Sequence, residues 1–365
     1  MPSPLVPVAP APRRWDFFCR VIDNHGDLGV DLRLARELAQ RGHAVRLWCD
    51  DLSALGWMQP APVPGLDCRP WAASESADPA EVVLETFGCE LPPAYLQRMA
   101  QARVAPTWIN LEYLSAESYV ERSHGLRSPQ FSGPGAGLQK WFFYPGFTPR
   151  TGGLPRETGL LQARAAHDGA AWLTERGWAP EPGERVLMLF AYPHAPLRAL
   201  LDALPGRWLL LLCPGDAQTR VPALLRPGQR CLTLPYLSQQ DFDRLLWSCD
   251  LNLVRGEDSF VRAQWAAAPM LWHIYHQDDG AHGPKLRAWL DLAWAGAPAA
   301  LRQSWQALAL AWNGLGPWNE EARRALHQLP EAARQQRRWR DELAQQAPLA
   351  EQLCGFVARK HGISG

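Results

Sequence analysis

Lysine is almost missing from these 365 residues: of 37 cationic side chains, only Lys140, Lys285 and Lys360 are lysines. With alanine, proline and glycine abundant, the arginine excess reads as a coding bias rather than a guanidinium-specific function. An excess of either charge is missing too, since 37 anions match the 37 cations. No global field therefore draws the chain to nucleic acid or an anionic membrane surface, although a local basic patch stays open. The eight cysteines (Cys19, Cys49, Cys68, Cys89, Cys213, Cys231, Cys249, Cys354) form no C-x-x-C pair. Several lie in apolar runs such as L-L-L-L-C-P, the setting of buried, reduced, structural thiols. No basic start leads into an apolar core and a small-residue cleavage site, and no run of about 18 apolar residues occurs. The expectation is a cytoplasmic globular protein with neither membrane nor nucleic acid as partner. P-loop, G-x-G-x-x-G and serine-nucleophile signatures are also lacking, which removes most support for ATP hydrolysis and hydride transfer.

The length suits two domains, each with its own core. Residues 1–13, with P-S-P-L-V-P-V-A-P-A-P, should form a disordered tail. From Arg14 the pattern alternates: strand W-D-F-F-C-R-V-I, a helix around V-D-L-R-L-A-R-E-L-A-Q-R stopped by Gly42, then strand A-V-R-L-W-C. V-V-L-E-T-F, a helix begun by Pro92-Pro93, and P-T-W-I-N-L-E-Y continue it. Residues 124–156 are dense in Gly and Pro, with W-F-F-Y a possible strand inside, and one helix is expected over 157–176. The alternation then restarts at R-V-L-M-L-F-A-Y and runs to P-M-L-W-H-I-Y, followed by a helical tail from about 299. Such repeats predict two α/β domains with parallel sheets. We place them at 14–178 and 179–346, the first completed by a helix within 347–365. Ligands should meet at the carboxyl ends of the strands, across the cleft between the domains.

Three stretches carry chemistry. V-I-D-N-H-G-D-L-G follows the first strand and sets Asp23 and Asp27 four apart at a helix start. Anion-binding loops there are rich in Gly and poor in Asp, so these carboxylates either cap the helix or await a cation. L-N-L-V-R-G-E-D-S-F-V-R-A-Q-W-A, residues 251–266, runs from strand to helix. Its helix start, Ser259 and Arg255 would hold a diphosphate without a metal, or Asp258 or Ser259 is an ordinary N-cap. Phe190, Tyr192 and Tyr236 stand at or just beyond strand ends, placed either to sandwich a nucleobase or to fill core and turns. The histidines of H-I-Y-H-Q-D-D-G-A-H, at 273, 276 and 282, match no standard zinc spacing and read as a polar cleft loop.

Together, V-I-D-N-H-G-D-L-G, L-W-C-D-D-L-S-A-L, V-R-G-E-D-S-F-V-R-A-Q-W-A and W-H-I-Y-H-Q-D-D-G-A-H resemble the bacterial protein-arginine rhamnosyltransferases that modify elongation factor P, the EarP family. The likeness spans nearly the whole chain from Arg14. It implies a GT-B fold of two Rossmann-like domains and an inverting transfer of L-rhamnose from dTDP-β-L-rhamnose to an arginine of elongation factor P. No cofactor and no metal are implied. By the same resemblance Asp27 is the general base, Asp23 fixes the guanidinium, and Glu257 helps orient both substrates. Asn24 and Gly26 join the two aspartates around the acceptor. Phe190, Tyr192, Tyr236, Gln239, Arg255, Gly256, Asp258, Ser259 and Gln264 bind the donor. Position 25 departs from the family in being His rather than a bulkier aromatic, and Gly283-Pro284 stands where apolar residues are expected. The fold alone leaves two rivals: a GT-B enzyme for another nucleotide sugar, and an idle binding module for elongation factor P or RNA.

Overall fold

The apolar runs become the strands of two sheets in the computed structural model, which describes residues 11–22 and 25–362. The first sheet contains β1 (Arg14–Cys19), β2 (Ala44–Cys49), β3 (Leu66–Pro70), β4 (Val82–Thr86), β5 (Thr107–Leu111), β6 (Arg127–Pro129) and β7 (Gln139–Phe143). Its order is β3-β2-β1-β4-β5-β7-β6, and only β6 runs antiparallel to its neighbour. The second contains β8 (Glu184–Leu189), β9 (Arg207–Leu212), β10 (Gln229–Thr233), β11 (Leu251–Arg255) and β12 (Met270–His273). It is parallel throughout, in the order β10-β9-β8-β11-β12. In each sheet the order reverses beside the first strand, between β1 and β4 and between β8 and β11. A crevice opens at such reversals, outside the carboxyl ends of the strands.

Strands covered on both faces must be apolar nearly throughout, and β4 is buried at every position. Asp16 inside β1 is a charged exception, and its carboxylate is fully satisfied. It accepts from Arg46 Nε and Nη2 at 2.6 Å, Trp48 Nε1 at 3.1 Å, the Ala80 amide at 2.9 Å and the Tyr95 hydroxyl.

The first helix, Gly26–Gln40, is buried from Asp27 to Ala39. Leu28, Leu32, Ala35 and Leu38 join the core of the first sheet, so Arg33 and Arg36 between them face the other domain. Gly42, at φ +89°, ends the segment as its sequence suggests. The helix Leu349–Gly362 returns to the first sheet, where Leu349, Leu353, Phe356 and Val357 pack in the same cluster as Phe17, Val82 and Leu84.

Three local expectations fail for identifiable reasons. The single helix over 157–176 is two, Leu160–Ala166 and Gly169–Glu175, because Asp168 caps the second by accepting from the Ala171 amide at 3.0 Å. The polar loop expected at H-I-Y-H-Q-D-D-G-A-H is shorter: His273 closes β12 in the core and His282 opens the helix His282–Ala293. Gly283 and Pro284 therefore sit in a first helical turn, where proline's missing N–H costs nothing. β3 and β6 are short edge strands too polar to show a period. The tail expected over 1–13 lies mostly outside the described residues, but Arg13 is anchored, its amide donating to His43 Nδ1 at 3.1 Å.

Gly153 packs closely against the chain where it enters the last helix. At φ +71° a Cβ there would stand 2.6 Å from the Ala347 carbonyl oxygen and 2.7 Å from Gln352 Nε2. Gly153→Ala should lower stability by at least about 2 kcal/mol through backbone strain and overpacking. A urea midpoint within error of the parent protein would contradict this.

Candidate active site

The two crevices face each other, and a cavity lies between them. Phe190, Tyr236, Gln239, Arg255, Gly256, Glu257, Asp258 and Ser259 line it from the second domain, and His25, Gly26, Arg33 and Trp57 from the first. Gly256, at φ +67°, makes the sharp turn from β11 into the helix Asp258–Ala266. The first amides of that helix have no intrahelical acceptor and carry the positive end of its dipole, an anion cradle. Arg255 stands beside it with its guanidinium 4.3 Å from the Phe190 ring centre and 5.0 Å from that of Tyr192.

Of the expected donor residues, Tyr192 and Gln264 do not line the cavity. Tyr192 lies behind Arg255, its amide donating to His273 Nδ1 at 3.1 Å. Gln264 is a core residue: it accepts from Trp339 Nε1 at 2.8 Å and donates to the Phe260 carbonyl at 3.3 Å. Asp258 and Gln239 line the cavity but also reach across the domains, Asp258 to Arg33 Nε at 2.6 Å and Gln239 Nε2 to the Gly29 carbonyl at 2.8 Å. The Ser259 hydroxyl donates to the Arg255 carbonyl. Tyr236 lies tilted by 30° against Trp57, ring centres 4.6 Å apart, and His25 meets Trp57 edge-on at 5.6 Å.

Asp27 occupies the first turn of its helix, where a carboxylate suits the dipole. One of its oxygens accepts from the Ile22 amide at 2.8 Å. Asp23 and Asn24 lie outside the described residues. Glu257 is held from the first domain, both carboxylate oxygens at 3.1 Å from the Leu114 amide. Burial pushes its carboxyl up to about 7, and the charges of Asp27 and Asp258 add to this while Lys285 opposes it. Asp31, one turn beyond Asp27, is also raised to about 7 by burial, although the Thr86 hydroxyl donates to it at 2.7 Å. The cleft thus brings the raised carboxyl of Glu257 within the influence of Asp27 and Asp258, an environment that a guanidinium or ammonium would relieve.

The histidines gather around Tyr192. His194 lies 4.7 Å from His273 and 5.9 Å from His276, which is 4.5 Å from His282. Burial, with His194 and Arg255 nearby, takes His273 down to about 3 and keeps it neutral. Among the described residues no group of three or more His, Cys, Asp or Glu side chains is disposed to hold a metal ion. No helix among them is long and apolar enough to cross a membrane.

Sequence reading misses Trp57, Lys285 and the charged residues Arg33, Arg36, Glu157, Asp243 and Arg262. A signal existed: Arg33 and Arg36 share one helix face at i, i+3, as do Asp258 and Arg262 at i, i+4.

Two parallel α/β domains facing across a cleft, with a helix N-terminus aimed into it from the second, define a GT-B glycosyltransferase. Solved structures agree on that class: the spinosyn rhamnosyltransferase SpnG superposes with a TM-score of 0.52 at 15% identity over 94% of this chain and 99% of that one, a likeness of fold alone. Residues 15–358 match the family described as Elongation-Factor P (EF-P) rhamnosyltransferase EarP. The protein-arginine rhamnosyltransferases of Pseudomonas aeruginosa and Pseudomonas putida are 43% and 44% identical, each over 94% of this chain and 98% of the relative. A structure solved for EarP-mediated arginine glycosylation of translation elongation factor EF-P superposes with a TM-score of 0.68 at 33% identity, covering 95% of this chain and 99% of that one. This chain belongs to the EarP family.

Asp31 gives a pH test that leaves the cleft intact. With a folded value near 7 and an unfolded value of 3.8, its contribution is fully present below about pH 4 and is lost as pH rises through 7. Asp31→Asn, which cannot ionise, should flatten the fall in melting temperature between pH 5 and 8. Each tenfold change in proton activity between the two values is worth about 1.4 kcal/mol. Parallel curves for the two proteins would overturn the assignment.

Proposed function

We propose that this protein transfers L-rhamnose from dTDP-β-L-rhamnose to an arginine of elongation factor P, with inversion at the anomeric carbon and without a metal. The observation that carries the reading is the pairing of two environments across one cleft. The first domain offers Asp27, in carboxyl-rich surroundings that Glu257 borders from across the cleft; the second offers a helix N-terminus with Arg255 over aromatic rings. The first suits a guanidinium and the second a nucleoside diphosphate. The family relatives supply the arginine, the sugar and the acceptor protein as the substrates that fit.

A protonated guanidinium is a poor nucleophile because its lone pairs are delocalised. In the proposed step a guanidinium nitrogen attacks the anomeric carbon while Asp27 accepts the proton it loses. The bond from that carbon to the diphosphate oxygen breaks, and dTDP leaves with the electron pair. Asp23 fixes the guanidinium, as the family resemblance implies. Glu257, at the junction of both sides, orients acceptor and sugar. The negative charge growing on the diphosphate is met by the helix amides and Arg255, which do the work a metal does in other transferases.

Incubation with dTDP-rhamnose and elongation factor P should add one deoxyhexose to the acceptor by intact mass, with or without EDTA. An unmodified acceptor would refute the substrate assignment, and loss in EDTA restored by magnesium would refute the metal-free step. Asp27→Asn should reduce single-turnover transfer by roughly 10² to 10⁴ while dTDP binding holds. Near-normal transfer would leave Asp27 as a helix cap only, since Asn caps almost as well.

A further inference from the structure

Three guanidiniums and three carboxylates lie between the domains, far more charge than a stable interface requires. Arg33, fully buried on the first helix, gives its Nε to Asp258 at 2.6 Å and its two Nη atoms to both oxygens of Asp243 at 3.1 Å. It also donates to Glu157 at 3.3 Å and to the Gln239 carbonyl at 3.3 Å. Arg262 forks onto the same Asp243 at 2.8 and 2.7 Å and reaches Glu157 at 2.6 Å. Arg36 donates to Glu157 at 3.1 Å. Burial works against the charge on Arg33, but Asp243, Asp258 and Glu157 outweigh it and hold it protonated. Burial likewise opposes the charge on Glu157, which Arg262, Arg33 and Arg36 keep far below the usual carboxylate range.

A buried ion network is weak evidence for stability, because apolar residues of the same volume often serve as well. Its directional value is greater. Arg33 stands six residues beyond Asp27 on one rigid helix, and its partners Asp258 and Asp243 stand on the helix that follows Glu257 and on the helix Gln239–Ser248. Five donors in a fixed plane meet carboxylates from two helices of the other domain, an arrangement that a shift of about an ångström would break. We propose that Arg33 is a positioning residue for transfer, fixing the helix that carries Asp27 against the helix start that cradles the diphosphate. This rests on the reading of Asp27 and of that helix start given above.

The test separates geometry from stability. Arg33→Met alone leaves three buried carboxylates with two guanidiniums, one anion in excess, and should lower the melting temperature. Arg33→Met with Asp243→Asn leaves two guanidiniums and two carboxylates, so melting should recover towards the parent value. Single-turnover transfer should nevertheless stay at least about ten-fold down, as misplacement of reacting groups predicts, while the calorimetric dTDP affinity changes by less than about three-fold. Arg33→Lys, which keeps the charge but loses the fork, should show the same split, and serves if the double variant does not fold. Transfer that recovers along with melting would reduce the network to stability, and transfer that falls only with dTDP affinity would make Arg33 a donor-site residue; either result overturns the proposal. Normal transfer in Asp27→Asn beside slow transfer in Arg33→Lys would sink the general-base reading instead and leave the positioning role standing.

Discussion

Dehydrating a guanidinium is costly, and the interface between these domains does it three times within one cluster. Each of Arg33, Arg36 and Arg262 is buried with carboxylate partners, and the count of opposite charges is equal. Removing one member would leave an uncompensated charge, a loss of roughly 3 to 5 kcal/mol. The relative placement of the two sheets is therefore set by charge stoichiometry as well as by apolar contact. Glu157 belongs to the segment joining the domains and bonds all three guanidiniums, so the connection is tied into the same cluster. A cleft whose walls come from different domains keeps its width only if something this directional spans the join.

The chemistry of the cleft follows from where that join leaves charge unbalanced. Behind the cavity the cations and anions cancel. At the cleft Glu257 feels the charges of Asp27 and Asp258, and the Lys285 ammonium that opposes its rise is itself shifted down by burial. Burial is what raises the Glu257 carboxyl, by penalising its charged form, and the nearby charges of Asp27 and Asp258 add to it. A permanently charged acceptor entering there removes that penalty. A neutral hydroxyl would not, which gives the site a reason to prefer arginine over the commoner acceptors of this fold class.

Much of the fold is legible in the sequence because buried parallel strands announce themselves as short apolar runs between Gly, Pro and Asp. The runs at Trp15, Ala44, Val82, Arg185, Arg207 and Leu251 all become strands. What fails is what depends on a partner surface. Arg33 and Arg36 look like the solvated face of an amphipathic helix, and only the second domain makes that face an interior. Gln264 sits in the same sequence run as Ser259, yet six residues beyond Asp258 is about 240° round the helix, away from the cavity. Glu257 is readable as a cleft acid, but nothing local reveals that the Leu114 amide will hold it. Residues at the helix start were foreseeable from strand-to-turn chemistry; those defined by contact between distant segments were not.

The return of Leu349–Gly362 to the first sheet has a consequence for biogenesis. The second sheet is continuous in sequence, from Glu184 to His273, so a growing chain can complete it soon after those residues emerge. The first sheet is translated earlier, but one of its faces, with Phe17, Val82, Leu84, Ile109 and Phe143, shares its cluster with a helix made some two hundred residues after β7. The domain that begins first is finished last. Its apolar face stays open during synthesis of the other domain, and chaperone demand for this protein should be concentrated in that interval.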